Sequence, residues 1–297
     1  MGFDVQGLRF LLGAHRRGVR FQNTAMIGRQ ELFLDVISLQ RILGAFGLSQ
    51  DPDLAKRILT QRKGFAEPLL ELLGAERICS IDASGYEDAT VVHDMNLPIP
   101  ENLKHSFSLV IDAGSLEHIF NFPTAIKSCM EMVAEGGHLI LMTPANNFTG
   151  HGFYQFSPEL FFRIFSASNG FEVDRAIVCE TSPEASWFEV MDPARAGRRV
   201  ELTTTRPTYL MVQARRVRLG PIFTEAPQQS DYTALWKERP AKTPPRPLGS
   251  VLPVPERVVR GIARRLYAAF RAVEPAALAS RRFRPDPEVF TPVSWLS

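Results

Sequence analysis

Cysteine is scarce in this chain: 297 residues contain only Cys79, Cys129 and Cys179. No two of them form a C-x-x-C pair and none stands at a metal spacing from a histidine, which argues against a zinc ribbon or a dithiol redox motif. Cys79 and Cys179 fall in apolar, strand-like runs and Cys129 in a helical one, so all three read as small core residues. Long apolar runs are missing too. No stretch is long enough to span a bilayer, and no charged-then-apolar leader opens the chain, so a soluble cytoplasmic protein is expected. A strong excess of one charge is also lacking. The formal net charge of +2 says little about partners. No basic cluster interleaved with aromatics points to nucleic acid. The sequence has no internal repeat. It also has no G-x-G-x-x-G, which weighs against a dehydrogenase-type dinucleotide site.

What is present is ordinary globular composition, 45% hydrophobic and 22% charged. That supports one large core, in a domain of about 200 residues plus additions. The first 22 residues are basic and helix-capable. "TAMIG", Thr24 to Gly28, is a short apolar run, and "RQELFLDVISLQRIL" has near-helical apolar spacing. "DPDLAKRIL" opens a helix with Asp51 as N-cap and Pro52 at the first position, and "EPLLELLG" is a third helix that Gly74 closes. The pattern then changes. "ERICSID", "ATVVHD", "FSLVIDAG" and "HLILMTP" read as buried strands, with the helix "PTAIKSCMEMVAEGG" ending in a glycine pair before the last of them. "FEVDRAIVCE" and "TYLMVQARRV" form a late strand pair. Short apolar runs separated by helices predict a parallel sheet covered on both faces.

Acidic residues close successive strands: Asp82 after "ICSI", Asp94 after "ATVVH" and Asp112 near the end of "SLVID". Ligands of open α/β sheets bind at the carboxyl ends of strands. A carboxylate at Asp82 suits the two hydroxyls of a ribose. Asp94 and the Met95 backbone suit the edge of adenine. Ala113 and Gly114 let the backbone approach a ligand. A lone strand-end aspartate is usually a cap or turn residue, but three on successive strands favour a nucleoside site.

These residues carry a resemblance to the class I S-adenosylmethionine-dependent methyltransferases, type 11-like, from about Thr24 to Val217. It is clearest over "SIDASGYEDATVVHDMNLPIP" and "SFSLVIDAGSLEHIFNFPTAIKSCMEMVAEGGHLILMTPANN". The resemblance implies a doubly wound, mostly parallel α/β sheet (a Rossmann-like methyltransferase fold) with inserted N-terminal helices and a C-terminal helical extension. It implies S-adenosyl-L-methionine as cofactor, with Asp82 on the ribose, Asp94 and Met95 beside adenine, and Leu116-Glu117-His118 matching the family's "leH" triplet. Ser84, Ala113 and Gly114 complete that cofactor set. The chain departs from the family at its first motif, a glycine-rich turn. Gly28 is the single glycine of "AMIGRQEL". Either Arg29 or Gln30 replaces the missing turn by binding the cofactor carboxylate, or Arg29 pairs with a neighbouring helix.

Catalytic candidates lie on the loops after the fourth and fifth strands. An oxygen nucleophile gains from a base near neutral pKa, which makes His118 and His151 the candidates. The resemblance implies that the histidine of the "EH" pair, His118, lies near the cofactor without being the base, which favours His151. Tyr154 either orients the substrate or plugs the site with its hydroxyl satisfied. Asn146, Asn147 and Gln155, in "PANNFTGHGFYQ", are substrate-binding candidates. So are Trp187 and Arg198, in the long segment Thr181 to Pro207, where a surface hairpin with solvated Arg198 and Arg199 is the other reading. A metal site would draw on His93, Asp94, Glu117 and His118. No compact spacing joins them, and no metal is expected.

The expected organisation is a methyltransferase-like domain over residues 1–217, with a helical insertion at about 29–74. A proline-rich linker or strap over 218–255 and a basic amphipathic helix and tail over 256–297 follow. That helix either packs on the domain, makes a homodimer or partner contact, or lies on an anionic membrane. The expected activity is O-methylation of a small molecule or sugar in glycan or secondary-metabolite biosynthesis. The alternative is a methyltransferase-like scaffold that has lost catalysis.

Overall fold

The computed structural model of the chain describes residues 2–233 and 285–296. β1 (Gly2–Phe3) leads into α1 (Val5–Arg16). The Asp4 carboxylate caps this helix, accepting from the backbone N–H of Gln6 at 2.9 Å and of Gly7 at 3.0 Å. β2 (Asn23–Ile27) and the short β3 (Glu31–Leu32) follow, and β1 pairs with β3 in a small parallel sheet. Three helices, α2 (Val36–Ala45), α3 (Leu54–Thr60) and α4 (Glu67–Leu72), then separate β2 from β4 (Arg77–Asp82). Next come β5 (Val91–Val92), β6 (Phe107–Ala113), α5 (Phe122–Met132), β7 (Val133–Asn146) and α6 (Pro158–Ile164). The described chain ends with β8 (Phe171–Glu180), β9 (Trp187–Val190), α7 (Pro193–Ala196), β10 (Thr208–Arg216) and β11 (Phe290–Val293).

Among the described residues the main sheet runs β11-β9-β8-β10-β7-β6-β2-β4-β5. The five strands from β7 to β5 are mutually parallel, and β10, β8, β9 and β11 add antiparallel pairs. The chain starts in the middle at β2, moves outward through β4 to β5, then crosses back to β6 and β7. The topological switch therefore falls between β2 and β6, the expected place for a ligand in a doubly wound sheet. Alternation builds a core on each face. Ala25, Ile27, Val110, Leu139 and Leu141 point into one cluster, and Met26, Leu109, Ile111, Ile140 and Met142 into the other. α1 covers the second face with Leu8, Leu11 and Leu12, all fully buried. It lies so close to β7 that a Cβ on Gly7 would meet Met142 Sδ at 2.5 Å.

The doubly wound α/β sheet matches expectation, as do helices between residues 29 and 74. Local readings shift. Helix α2 starts at Val36, capped by Asp35, because Glu31 and Leu32 are drawn into pairing with β1. The cap of α3 is Asp53, while Asp51 accepts from the Asp53 N–H at 2.9 Å and pairs with Arg57 at 2.6 Å. The glycine pair does not end α5. Gly136 and Gly137 lie inside β7, where a Cβ on Gly137 would stand 2.9 Å from the Ser108 carbonyl oxygen of the adjacent strand. "ATVVHD" contributes only two strand residues. The expected C-terminal helix lies outside the described residues up to 284, and within its tail Phe290–Val293 forms the edge strand against β9. No described helix is long and apolar enough to cross a membrane.

Candidate functional site

Two cavities open at the carboxyl ends of the parallel strands, and His118 lines both. The smaller, about 230 Å³, lies beside the ends of β2, β4 and β5 and is lined by Gly28, Asp82, His93, Asp94, Met95 and Ser115 among others. Gly28 has φ +71°, and its N–H donates to the Ile81 carbonyl at 2.7 Å, which turns the chain sharply after β2. Asp82 Oδ1 accepts from the Ser84 N–H at 2.9 Å, and no described residue bonds its other oxygen. Asp94 is exposed. Hydrogen bonds from the Asn96 backbone and side chain hold its carboxyl below the usual range, so it remains ionised.

The larger cavity, about 300 Å³, lies over β6 and β7 and under the start of α1. Its walls include Asp4, Phe33, Gly114, Glu117, Phe148, His151 and Tyr209. Glu117 and His118 share a single 3-10 turn, Leu116–His118, directly after β6. The loop after β7 is fastened to this turn: the Glu117 carbonyl accepts from the N–H of Phe153 at 2.7 Å and of Tyr154 at 3.3 Å. Gly152 makes that contact achievable, because its φ is +70° and a Cβ there would lie 2.8 Å from the Glu117 carbonyl oxygen. Gly150, by contrast, has open space around it. The result is that His151 Nε2 stands 3.5 Å from Glu117 Oε1, and the His118 and His151 rings meet edge-on with centroids 4.9 Å apart.

The electrostatics of this cavity are set by burial. Asp112 is fully buried and is raised to about 7 by desolvation, although hydrogen bonds from the Ser115 backbone and side chain pull the other way. Glu117 is raised to about 8, first by desolvation and then by Asp112. One oxygen of each, Asp112 Oδ2 and Glu117 Oε2, is buried without a hydrogen-bond partner among the described residues. Burial and the neighbouring His151 push His118 down, towards neutrality. Tyr209 is raised by burial beside Asp4 and stays a phenol.

The expected site residues thus divide. Gly28, Asp82, Asp94 and Met95 line the smaller cavity, Ala113, Gly114 and His151 the larger, and His118 both. Ser84 orients Asp82 through its N–H. Others are diverted. Arg29 is committed to Glu67 of α4 at 2.6 Å, to the Glu87 carbonyl at 2.8 Å and to the face of Phe65, so it pairs with a neighbouring helix and lines neither cavity. Gln30 is fully buried, with its amide donating to the Ile27 carbonyl and to Ser115 Oγ. The Tyr154 hydroxyl donates to the Phe120 carbonyl at 2.7 Å, as a satisfied plug would. Asn146 and Asn147 bind Thr204, tying β7 to the segment before β10, and Gln155 accepts from the Phe148 N–H at 2.8 Å. Trp187 is 2% exposed, packed on Phe10, with its indole N–H on Gln6 Oε1 at 2.7 Å, so it is core. Arg198 is paired with Asp286 and Glu288 on the surface.

Asp4, Phe33, Met142 and Tyr209 are among the cavity residues that the sequence did not single out. They come from four separate elements or loops, and no local motif joins them. Glu117 was visible as part of the "EH" pair, but its burial was not.

No protein-family model and no curated protein matches the sequence. Similar solved structures are found at low identity. N-methyltransferase NodS from Bradyrhizobium japonicum, in complex with S-adenosyl-L-homocysteine, is 16% identical over 71% of this chain and 85% of its own, with a TM-score of 0.38. The 1,6-didemethyltoxoflavin-N1-methyltransferase of Burkholderia thailandensis is 9% identical over 72% of this chain and 79% of its own, also with a TM-score of 0.38. The branched-chain polyamine synthase of Thermus thermophilus is 14% identical over 76% of this chain, with a TM-score of 0.37, and the match spans 60% of that enzyme's length. The α/β assignment rests on the strand order itself.

Proposed function

We propose that this chain is an S-adenosylmethionine-dependent methyltransferase that methylates a hydroxyl of a small molecule or sugar, in glycan or secondary-metabolite biosynthesis. The observation that carries the reading is the pair of cavities meeting at His118 across the switch point. The residues of the smaller one fit a nucleoside. Asp82 has a free carboxylate oxygen for ribose hydroxyls, Asp94 is ionised and exposed, and Met95 offers an apolar surface to a purine.

When bound, the cofactor supplies a methyl group on a sulfonium. The chain's own residues then have three tasks. Asp82 and Asp94 hold the nucleoside. The backbone at Ala113 and Gly114 lines the larger cavity, where Phe33, Phe148 and Tyr209 hold the acceptor and exclude water from it. His151 accepts the acceptor's proton at Nδ1, with its Nε2 directed at Glu117 Oε1 3.5 Å away. His118, held neutral, forms the partition between the two halves of the site.

One specific observation favours a scaffold instead: Arg29, the candidate for the cofactor carboxylate, is fully engaged by Glu67 and Glu87. Calorimetry with S-adenosylhomocysteine separates the two readings. The enzyme reading expects saturable 1:1 binding. No binding at millimolar ligand would establish the scaffold. A screen of hydroxyl- and amine-bearing acceptors with labelled methyl donor then tests the O-methyl assignment.

A further inference from the structure

The sequence offers no compact metal-ligand spacing, yet the fold assembles one. We propose that Glu117, His118 and His151 bind a divalent first-row metal cation at the wall of the larger cavity. One ligand atom from each of the three lies within 4.8 Å of the others. Two imidazoles and a carboxylate are a donor set that zinc and its neighbours accept, with positions left over for a further ligand. The Glu117 Oε1 to His151 Nε2 distance of 3.5 Å is long for a hydrogen bond. It is close to the roughly 3.3 Å edge that two ligands span on a tetrahedral ion with bonds of ~2.0–2.2 Å.

A second, independent observation points to a cation. The Glu117 side chain is 2% exposed, lines the cavity and has a buried oxygen, Oε2, without a hydrogen-bond partner among the described residues. Native proteins rarely leave such an atom unsatisfied. Asp112 and Asp4 add two more carboxylates next to the cavity. Among the described residues no lysine or arginine pairs with any of the three, and none lines the cavity. A bound cation would offset this group of carboxylates. Both histidines are exposed at the mouth, so the ion has an entry path and an open side facing the acceptor space. When bound, the ion would lower the pKa of a hydroxyl coordinated to it, with the proton passing to solvent at the open mouth; the metal-free protein leaves that proton to His151.

The site rests on this geometry and not on the methyl-transfer reading, so its test needs neither cofactor nor acceptor. Full-length protein is stripped with a chelator and titrated with Co²⁺, following visible absorption, and then with Zn²⁺ in a calorimeter. The expected result is one Co²⁺ per chain, displaced by one Zn²⁺. His118→Ala and His151→Ala each weaken binding by at least the roughly 100-fold that even outer-shell changes reach. Because both side chains are exposed, these variants keep the wild-type circular dichroism and melting temperature. Glu117→Gln also loses the metal, and Asp82→Ala keeps it. Failure to take up either ion, or uptake unchanged by both histidine variants, overturns the proposal. S-adenosylhomocysteine binding is measured on the same preparations, so loss of metal binding alone leaves the methyl-transfer reading standing.

Discussion

The two cavities that meet at His118 hold their carboxylates in opposite states. In the smaller cavity, proposed for the nucleoside, Asp82 is half-buried and Asp94 exposed, each receiving hydrogen bonds from the turn that follows it. At the larger cavity, proposed for the acceptor, Asp112 and Glu117 are buried, carry oxygens unpartnered among the described residues and are pushed up towards neutral pH. The contrast separates two uses of one residue type. A solvated carboxylate is a ready hydrogen-bond acceptor for hydroxyl and amino groups. A desolvated one demands a proton or a cation, and so belongs where chemistry is done.

The strongest way to break this division is at His151. His151→Ala is expected to lower turnover by about 10²–10⁴-fold while leaving S-adenosylhomocysteine affinity within about twofold. A parallel loss of cofactor binding in calorimetry would merge the two cavities into one. Trp187→Ala tests the side chain's place in the core against the acceptor role. As a core residue it should cost about 3–5 kcal/mol in urea unfolding, and an acceptor-binding residue would change KM with little loss of stability. Asp82→Ala makes the reverse cut to His151→Ala. Lost hydrogen bonds to a charged group are worth about 1.5–3 kcal/mol, so cofactor binding should weaken roughly 10- to 150-fold.

The buried acids also make metal-free stability depend on pH. In the unfolded chain Asp112 and Glu117 release their protons near pH ~4, whereas in the fold they keep them to about 7 and about 8. Between those limits the native state binds more protons, so stability falls as pH rises from ~4 to ~8. The contribution is fully present below pH ~4 and lost above ~8. Urea midpoints at pH 5 and pH 8.5, taken in chelator, should show this fall, and Asp112→Asn should flatten it. Arg29→Ala gives the smallest effect on ligand binding. With its guanidinium committed to Glu67 and Phe65, cofactor affinity should change by less than about twofold while thermal stability drops.

The same contrast explains what could be read in advance. Asp82, Asp94 and Met95 sit at the ends of short apolar runs, and a strand's end is where local pattern and site coincide. The doubly wound sheet follows from those runs for the same reason. The larger cavity has no such local signature. Glu117 and His151 are separated by an entire helix and strand, and they meet only because the Gly152 turn docks on the Glu117 carbonyl. Asp4 and Phe33 arrive through the β1–β3 pairing, which overrode a helical apolar spacing at residues 31 and 32. Arg29 and Trp187 were misleading for one physical reason. A cation and an indole each have partners that only tertiary packing supplies, here Glu67 and Gln6.

The division of labour between the cavities is tested most directly by one calorimetric series, in which S-adenosylhomocysteine is titrated into wild-type, Asp82→Ala and His151→Ala protein. The prediction is 1:1 binding to wild type, retained by His151→Ala and weakened at least about tenfold by Asp82→Ala. No binding to wild type at millimolar ligand, or equal binding to Asp82→Ala, would contradict it.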